Sequence, residues 1–143
     1  MKKCIADILN DANKIENEEQ RAEFIRNNYS LAMETVFRGI FDESIVWDLP
    51  LGAPPYKENN LPDSESVFYT ECRRLYIFVK GGADNVSRLR KETLFIELLE
   101  MLHPNDAKLL LCMKDKINPY ENINVYFLRK YFPNLRGVLT KDS

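Results

Sequence analysis

FVKGGADNVSRLRKETLFIELLEMLHPNDAKLLLCMKDK, the stretch Phe78–Lys116, decides the fold because several helix boundaries fall within it. A helix ends at the glycine pair 81–82, since glycine readily adopts the left-handed backbone that closes a helix. A long helix follows over about 86–103 and ends before Pro104, which disfavours helical geometry in the residue that precedes it. Pro104 is itself well suited to the first position of the next helix. The stretch therefore predicts an all-α protein.

The long helix near 86–103 carries an unusually wide apolar face. At about 100° per residue, this face covers roughly two thirds of the helix circumference. It consists of Leu89, Leu94, Phe95, Ile96, Leu98, Leu99, Met101 and Leu102. One neighbouring helix cannot cover so much surface, so we expect this helix to be the central one of the bundle.

Further helices are predicted on both sides of this stretch, giving six or seven in a single domain over residues 1–143. Capping side chains and apolar residues at helical spacing mark their positions. These helices cover residues 3–15, a segment opened by Asn17 and Gln20 with Ala22, Ile25 and Tyr29 inside, a segment capped by Ser30, a segment from Asp63 or Ser64 to Lys80, the segment after Pro104, and Asn122–Tyr131.

Residues 42–62 form the one long loop, because four prolines exclude a regular helix and ordinary pairing within a sheet. The loop is too apolar to be a flexible linker, and we expect it to be ordered. It is either a lid over an apolar edge of the bundle or a docking segment for a partner protein, which proline presents at low entropic cost. The candidate docking residues are Trp47, Leu51, Pro54, Pro55 and Tyr56.

Composition places the chain among soluble globular proteins. It has 143 residues, 45% of them hydrophobic, and a net charge of −2. No apolar run approaches the roughly 20 residues that span a bilayer. Cys4, Cys72 and Cys112 are odd in number and lie among apolar neighbours, which favours reduced core thiols over a disulfide framework or a zinc site. We expect an intracellular protein without a cofactor.

Charge is unevenly distributed along the chain. Residues 1–66 carry a net charge of −6 and residues 67–143 a net charge of +4. Six cations surround the glycine turn, namely Arg73, Arg74, Lys80, Arg88, Arg90 and Lys91. Those at the start of the long helix oppose its macrodipole. Either the acidic half neutralises the six cations, or they bind phosphates or an acidic protein surface.

Catalytic arrangements are excluded mainly by the shortage of histidine. A nucleophile activated by imidazole requires His103, the only histidine, and its place before Pro104 favours a structural or capping role. Glu97, Glu100 and His103 have a spacing found in di-iron bundles, but such a site requires a second histidine from another helix. We therefore predict no enzyme activity, no catalytic residues and no metal site.

Four segments of the chain resemble a family of small uncharacterised proteins from large T-even-like tailed bacteriophages, especially those of marine cyanobacteria. The segments are LPLGAPPYKENNLP (Leu49–Pro62), FVKGG (Phe78–Gly82), RLRKETLFIELLEMLHPNDAKLLLCMKDK (Arg88–Lys116) and FPNL (Phe132–Leu135). The resemblance covers Ile5 to Leu135 and implies a bacteriophage protein in the cytoplasm of an infected bacterial host. It implies no catalytic residues.

The predicted function is that of a non-enzymatic accessory protein which binds a host or viral protein during infection. The alternative is a nucleic-acid-binding protein that uses the basic turn around residues 73–91. No membrane partner is expected. An exposed apolar patch beside neutralised cations favours the protein partner, whereas a continuous basic face favours nucleic acid.

Overall fold

The computed structural model describes residues 3–135 and contains, over them, seven α-helices, one 3₁₀ helix and no strand. The elements are α1 (Ile5–Asn13), α2 (Glu18–Asn27), α3 (Leu31–Phe41), α4 (Val67–Glu71), the 3₁₀ helix (Cys72–Phe78), α5 (Arg88–Met101), α6 (Pro104–Lys114) and α7 (Val125–Tyr131). This confirms the all-α prediction. Of the predicted domain 1–143, residues 1–2 and 136–143 lie outside the described residues.

Polar side chains begin several helices where the sequence predicts them. Asn17 Oδ1 accepts a hydrogen bond from the Gln20 amide at 2.9 Å, and Ser30 Oγ accepts one from the Met33 amide at 3.2 Å. Each bond satisfies an amide that the first turn leaves unpaired, and replacement of such a cap by alanine typically costs about 1 kcal/mol. Both capping predictions are confirmed. Asn124 caps α7, which therefore begins at Val125 and not at 122.

The core is built mainly around α6, which packs against α1, α3 and α5. The longest helix, α5, packs against α6 and the 3₁₀ helix, and buries Phe95, Leu98 and Leu99. Leu89 and Met101 on its predicted apolar face are exposed. The long helix consequently lies beside α6 at one side of the bundle and is not its centre. The wide apolar face predicted more neighbouring helices than α5 has, because the proline-rich loop, and not another helix, covers part of this face.

The segment 63–80 differs from the single helix that the sequence predicts. Helical structure begins at Val67 and tightens into the 3₁₀ helix at Cys72. Two backbone hydrogen bonds join the end of this segment to the loop: the Asp48 amide donates to Phe78 O at 2.7 Å, and the Lys80 amide donates to Val46 O at 2.8 Å. Gly81 has the predicted left-handed backbone, with φ +89°, but helical structure already ends at Phe78, so Gly81 does not close the helix.

Two other expectations concern individual side chains. Tyr29 was expected on the inner face of α2, but it follows that helix, is exposed, and stacks on Phe132 with ring centroids 6.1 Å apart. All three cysteines are free thiols; Cys4 and Cys72 are buried, as predicted, and Cys112 is half-buried. Over residues 3–135, no helix is long and apolar enough to cross a membrane.

Candidate functional site

The first half of the proline-rich loop is fixed to the end of α6 by Lys114. Its ammonium group is almost fully buried and donates hydrogen bonds to Pro50 O at 2.7 Å and Gly52 O at 2.9 Å. The same group pairs with Asp115, which also accepts a hydrogen bond from the Gly52 amide at 3.2 Å. A buried charge is tolerated when it is paired and hydrogen-bonded in this way. The loop is thus held in one conformation on this side.

The second half of the loop is fixed to the end of α5. Glu100 Oε2 accepts a hydrogen bond from the Lys57 amide at 2.9 Å, and Asn59 Nδ2 donates to Met101 O at 2.8 Å. His103 Nδ1 accepts a hydrogen bond from the Asn105 amide at 3.1 Å and caps α6. The predicted capping role of His103 is therefore confirmed. Glu97, the third member of the Glu–Glu–His set, is exposed on α5.

Trp47 connects the loop to α3 and to the segment after the 3₁₀ helix. Its Nε1 donates to Gly39 O at 3.4 Å, and its backbone forms an isolated antiparallel bridge with Val79. The side chain is half-buried against the core, and Leu49 two residues later is buried. Residues 45–49 thus cover an edge of the bundle, as the lid alternative requires.

A groove of about 960 Å³ lies between this loop, the end of α6 and the start of α7; we call it the loop groove. Its apolar lining is Ile40, Phe41, Ile45, Val46, Trp47, Leu49, Leu51, Val125 and Tyr126. Leu51 is 83% exposed and Tyr126 is 76% exposed. The structure therefore combines a lid at Trp47 with an exposed apolar surface beside it.

The predicted docking residues separate into two groups. Trp47 and Leu51 line the loop groove, whereas Pro54 and Pro55, together with Leu51, line a smaller cavity of about 190 Å³ against α5. Tyr56 packs against the core, and burial raises the pKa of its phenol. Tyr126 was not singled out from the sequence. In the sequence, Tyr126 is an aromatic residue next to the apolar positions of a short helix. This is a weak signal, because it does not show that the helix lies beside the loop.

The six cations of the basic cluster also fall into two groups, those paired with Asp48 and those that are not. Lys91 is 1% exposed and its Nζ lies 3.0 Å from Asp48 Oδ2. The hydrogen bond from Lys91 lowers the pKa of Asp48. Arg88 Nε lies 3.8 Å from the other Asp48 oxygen. Lys91 is therefore inaccessible to a partner, and its place among the candidate binding residues was wrong. Asp48, in the acidic half of the chain, pairs with both cations, and Arg88 Nε also lies 3.9 Å from Glu92 Oε2.

The other four cations of the cluster are exposed. Arg74 Nη1 lies 3.5 Å from Glu71 Oε1. Within residues 3–135, no carboxylate lies within 4.0 Å of Arg73, Lys80 or Arg90. Arg73 and Lys80 line a pocket of about 450 Å³ together with Arg38, Trp47 and Tyr76. The structure thus leaves a smaller basic surface than the sequence indicated.

A group of side chains able to hold a metal ion lies at the starts of α1 and α6. Ligand atoms of Cys4, Asp7 and His103 all lie within 4.8 Å of one another. Sequence spacing does not indicate this group, because His103 lies about a hundred positions away from the other two residues. Only the packing of α1 against α6 brings them together.

The comparisons with known proteins identify a family without an assigned activity. A model described as "Family of unknown function (DUF6433)" matches residues 8–118 of the chain. No curated protein matches the chain. No solved structure matches it either. The matched residues include the whole proline-rich loop, α5 and α6.

Proposed function

We propose that this chain, which belongs to the DUF6433 family, is a non-catalytic binding protein whose loop groove accepts a short apolar segment of another protein. The observation that carries the proposal is the exposure of Leu51 and Tyr126 beside Trp47 in one groove. Exposed apolar patches in soluble proteins often mark interaction sites. The resemblance to bacteriophage proteins supports a host or viral protein as the partner in an infected bacterial cell.

The loop groove suits a protein segment because the loop that lines it is ordered before a ligand binds. Lys114 and Asp115 hold the loop near Leu51 through hydrogen bonds to the backbone of Pro50 and Gly52. A loop that is ordered before binding loses less conformational entropy when a partner arrives. Tryptophan and tyrosine are also among the residue types that contribute most to binding energy at interfaces.

Three polar side chains of the groove, Lys114, Asp115 and Lys116, have a structural role. Lys114 and Asp115 pair with each other and with the loop backbone. Lys116 Nζ donates a hydrogen bond to Asp42 O at 2.7 Å. These three groups hold the groove together. Glu43, Asn124 and Arg129 also line it, so a bound segment meets polar side chains beside the apolar surface.

Selection from a random peptide library tests the proposal directly, because the library samples many sequences and the partner need not be identified first. We expect the purified protein to enrich peptides that share large apolar side chains. The best peptide is then titrated against the wild type and against Leu51→Ser and Tyr126→Ser. We expect each substitution to weaken binding at least about tenfold, since removal of an interface anchor typically costs about 2 kcal/mol or more.

Leu61→Ser is the matched control, because Leu61 lies in the same loop, is comparably exposed, and does not line the loop groove. The control should bind the peptide like the wild type. The proposal is wrong if no apolar peptide is enriched, or if the enriched peptides bind the Leu51→Ser and Leu61→Ser variants equally well.

Nucleic-acid binding is the second candidate, and it is favoured by Arg73, Lys80 and Arg90, which are exposed and lack an ion pair within the described residues. Tyr76 is exposed beside two of them and offers a stacking face. If this candidate holds, fluorescence anisotropy at low salt shows binding of labelled DNA or RNA that weakens with added salt and with Arg73→Ala. Lys108→Ala, an exposed cation on α6, is the control.

A further inference from the structure

The N-termini of α1 and α6 meet around four side chains with ligand chemistry. Cys4 is the residue that precedes α1 and is fully buried, and Asp7 lies in the first turn of that helix. His103 occupies the corresponding preceding position of α6. Ligand atoms of these three residues lie within 4.8 Å of one another.

A fourth side chain, Asp106, has a buried oxygen that lacks a partner. Asp106 is 1% exposed, and its Oδ1 accepts a hydrogen bond from the Ala6 amide at 2.8 Å. Its Oδ2 is buried without a hydrogen-bond partner in the described part of the chain. Burial raises the pKa of this carboxyl to about 6, whereas the Ala6 amide, the adjacent Cys4 thiol and His103 oppose that rise. An unsatisfied buried carboxylate oxygen is uncommon and requires an explanation.

We propose that Cys4, Asp7 and His103 bind a divalent metal ion of the zinc class, with water in the fourth position and the buried Asp106 carboxylate beside the site. Sulfur, imidazole nitrogen and carboxylate oxygen are the three ligand types that zinc takes in proteins, usually in tetrahedral geometry. With metal–ligand distances of about 2.0–2.3 Å, the ligand atoms of a tetrahedral site are about 3.5 Å apart. The ligand atoms of Cys4, Asp7 and His103 lie up to 4.8 Å apart, so they must move about 1 Å closer together to bind the metal ion.

Binding has a defined proton balance and a defined structural cost. The Cys4 thiol releases its proton to solvent as the sulfur–metal bond forms. The His103 ring must give up the hydrogen bond from the Asn105 amide, because Nδ1 either becomes the metal ligand or has to carry the proton when Nε2 binds. The exposed Asn105 amide can then be hydrated.

The test uses the full chain without a histidine tag, after treatment with a chelator, and Co²⁺ as a spectroscopic substitute for Zn²⁺. We expect one equivalent of Co²⁺ to produce a thiolate-to-cobalt charge-transfer absorption that one equivalent of Zn²⁺ abolishes. Zn²⁺ should also raise the melting temperature, because an ion that binds only the folded state stabilises it.

Asp7→Asn and Cys4→Ser should each weaken Co²⁺ binding at least about tenfold, since loss of even an outer-shell partner typically costs 10–100-fold. Asp11→Asn in the same helix and Cys112→Ser are the matched controls and should bind like the wild type. Asp7→Asn decides the test if Cys4→Ser does not fold. The proposal is overturned if Co²⁺ gives no charge-transfer band, or if Asp7→Asn binds as tightly as Asp11→Asn.

Discussion

The ammonium group of Lys91, in the first turn of α5, lies 3.0 Å from Asp48 Oδ2 in the proline-rich loop. This contact explains why a helix begins with cations that oppose its macrodipole. Asp48 also lies 3.8 Å from Arg88, so one carboxylate of the loop pairs with two cations at the helix start, and Glu92 lies 3.9 Å from Arg88 as well. The loop and α5 are consequently stabilised together.

We expect Asp48→Asn to lower the melting temperature by several degrees, because it leaves the buried Lys91 ammonium without its counter-charge. The double variant Asp48→Asn/Lys91→Met should recover part of that loss, since the uncompensated charge is then removed as well. Thermal unfolding followed by circular dichroism measures both. A double variant that is less stable than Asp48→Asn alone would contradict this account.

The effect of Asp48→Asn should also depend on pH. The hydrogen bond from Lys91 lowers the pKa of Asp48 in the folded protein. Such a carboxyl stabilises the fold above its unfolded pKa of about 3.9, and this contribution is lost as the pH falls through the folded pKa. The difference in melting temperature between the wild type and Asp48→Asn should therefore be largest near neutral pH and shrink below about pH 4. A constant difference from pH 7 to pH 3 would show that the carboxylate charge is not responsible.

Trp47→Ala should lower the free energy of unfolding by about 3 kcal/mol, since a large, half-buried side chain against α3 is removed. Trp47→Phe should cost only about 1 kcal/mol, because it keeps most of the packing and loses the hydrogen bond to Gly39 O. Urea unfolding measures both changes. An unaltered midpoint for Trp47→Ala would mean that residues 45–49 do not act as a lid.

Alanine substitutions at the adjacent positions Gly81 and Gly82 should differ in their effect on stability. A Cβ at Gly82 would lie 2.0 Å from Tyr76 O, a backbone atom that cannot move aside without disturbing the 3₁₀ helix. A Cβ at Gly81 meets nothing within 4 Å, so Gly81→Ala costs only the strain of its positive φ, about 1 kcal/mol. We expect Gly82→Ala to be clearly the more destabilising of the two in urea unfolding. The reverse order would contradict the close contact with Tyr76.

The fold could be predicted to the extent that local signals determined it. The caps at Asn17 and Ser30 and the helix boundary at Pro104 depend on residues close in sequence, and the structure confirms them. The extended backbone after Phe78 could not be predicted, because the hydrogen bonds at Phe78 and Lys80 have their partners in the loop, far away in sequence.

The candidate site was predictable in part for the same reason. Trp47 and Leu51 stood out as apolar residues in a proline-rich loop, and both line the loop groove. Tyr126 comes from a helix far along the chain, so its position beside Leu51 requires the tertiary structure. Lys91 was misassigned because its partner Asp48 lies in another segment, and a sequence pattern does not show which cations are paired.

The most direct measurement of the loop groove as a binding site is the fluorescence of Trp47, the only tryptophan of the chain. The peptide selected from the library should lack tryptophan and is titrated into the wild-type protein. If it occupies the loop groove, the emission of Trp47 shifts to shorter wavelength and saturates at one peptide per chain, because the exposed part of the indole becomes shielded from water. Calorimetric binding of the same peptide without any change in Trp47 emission would place the binding site elsewhere and contradict the proposal.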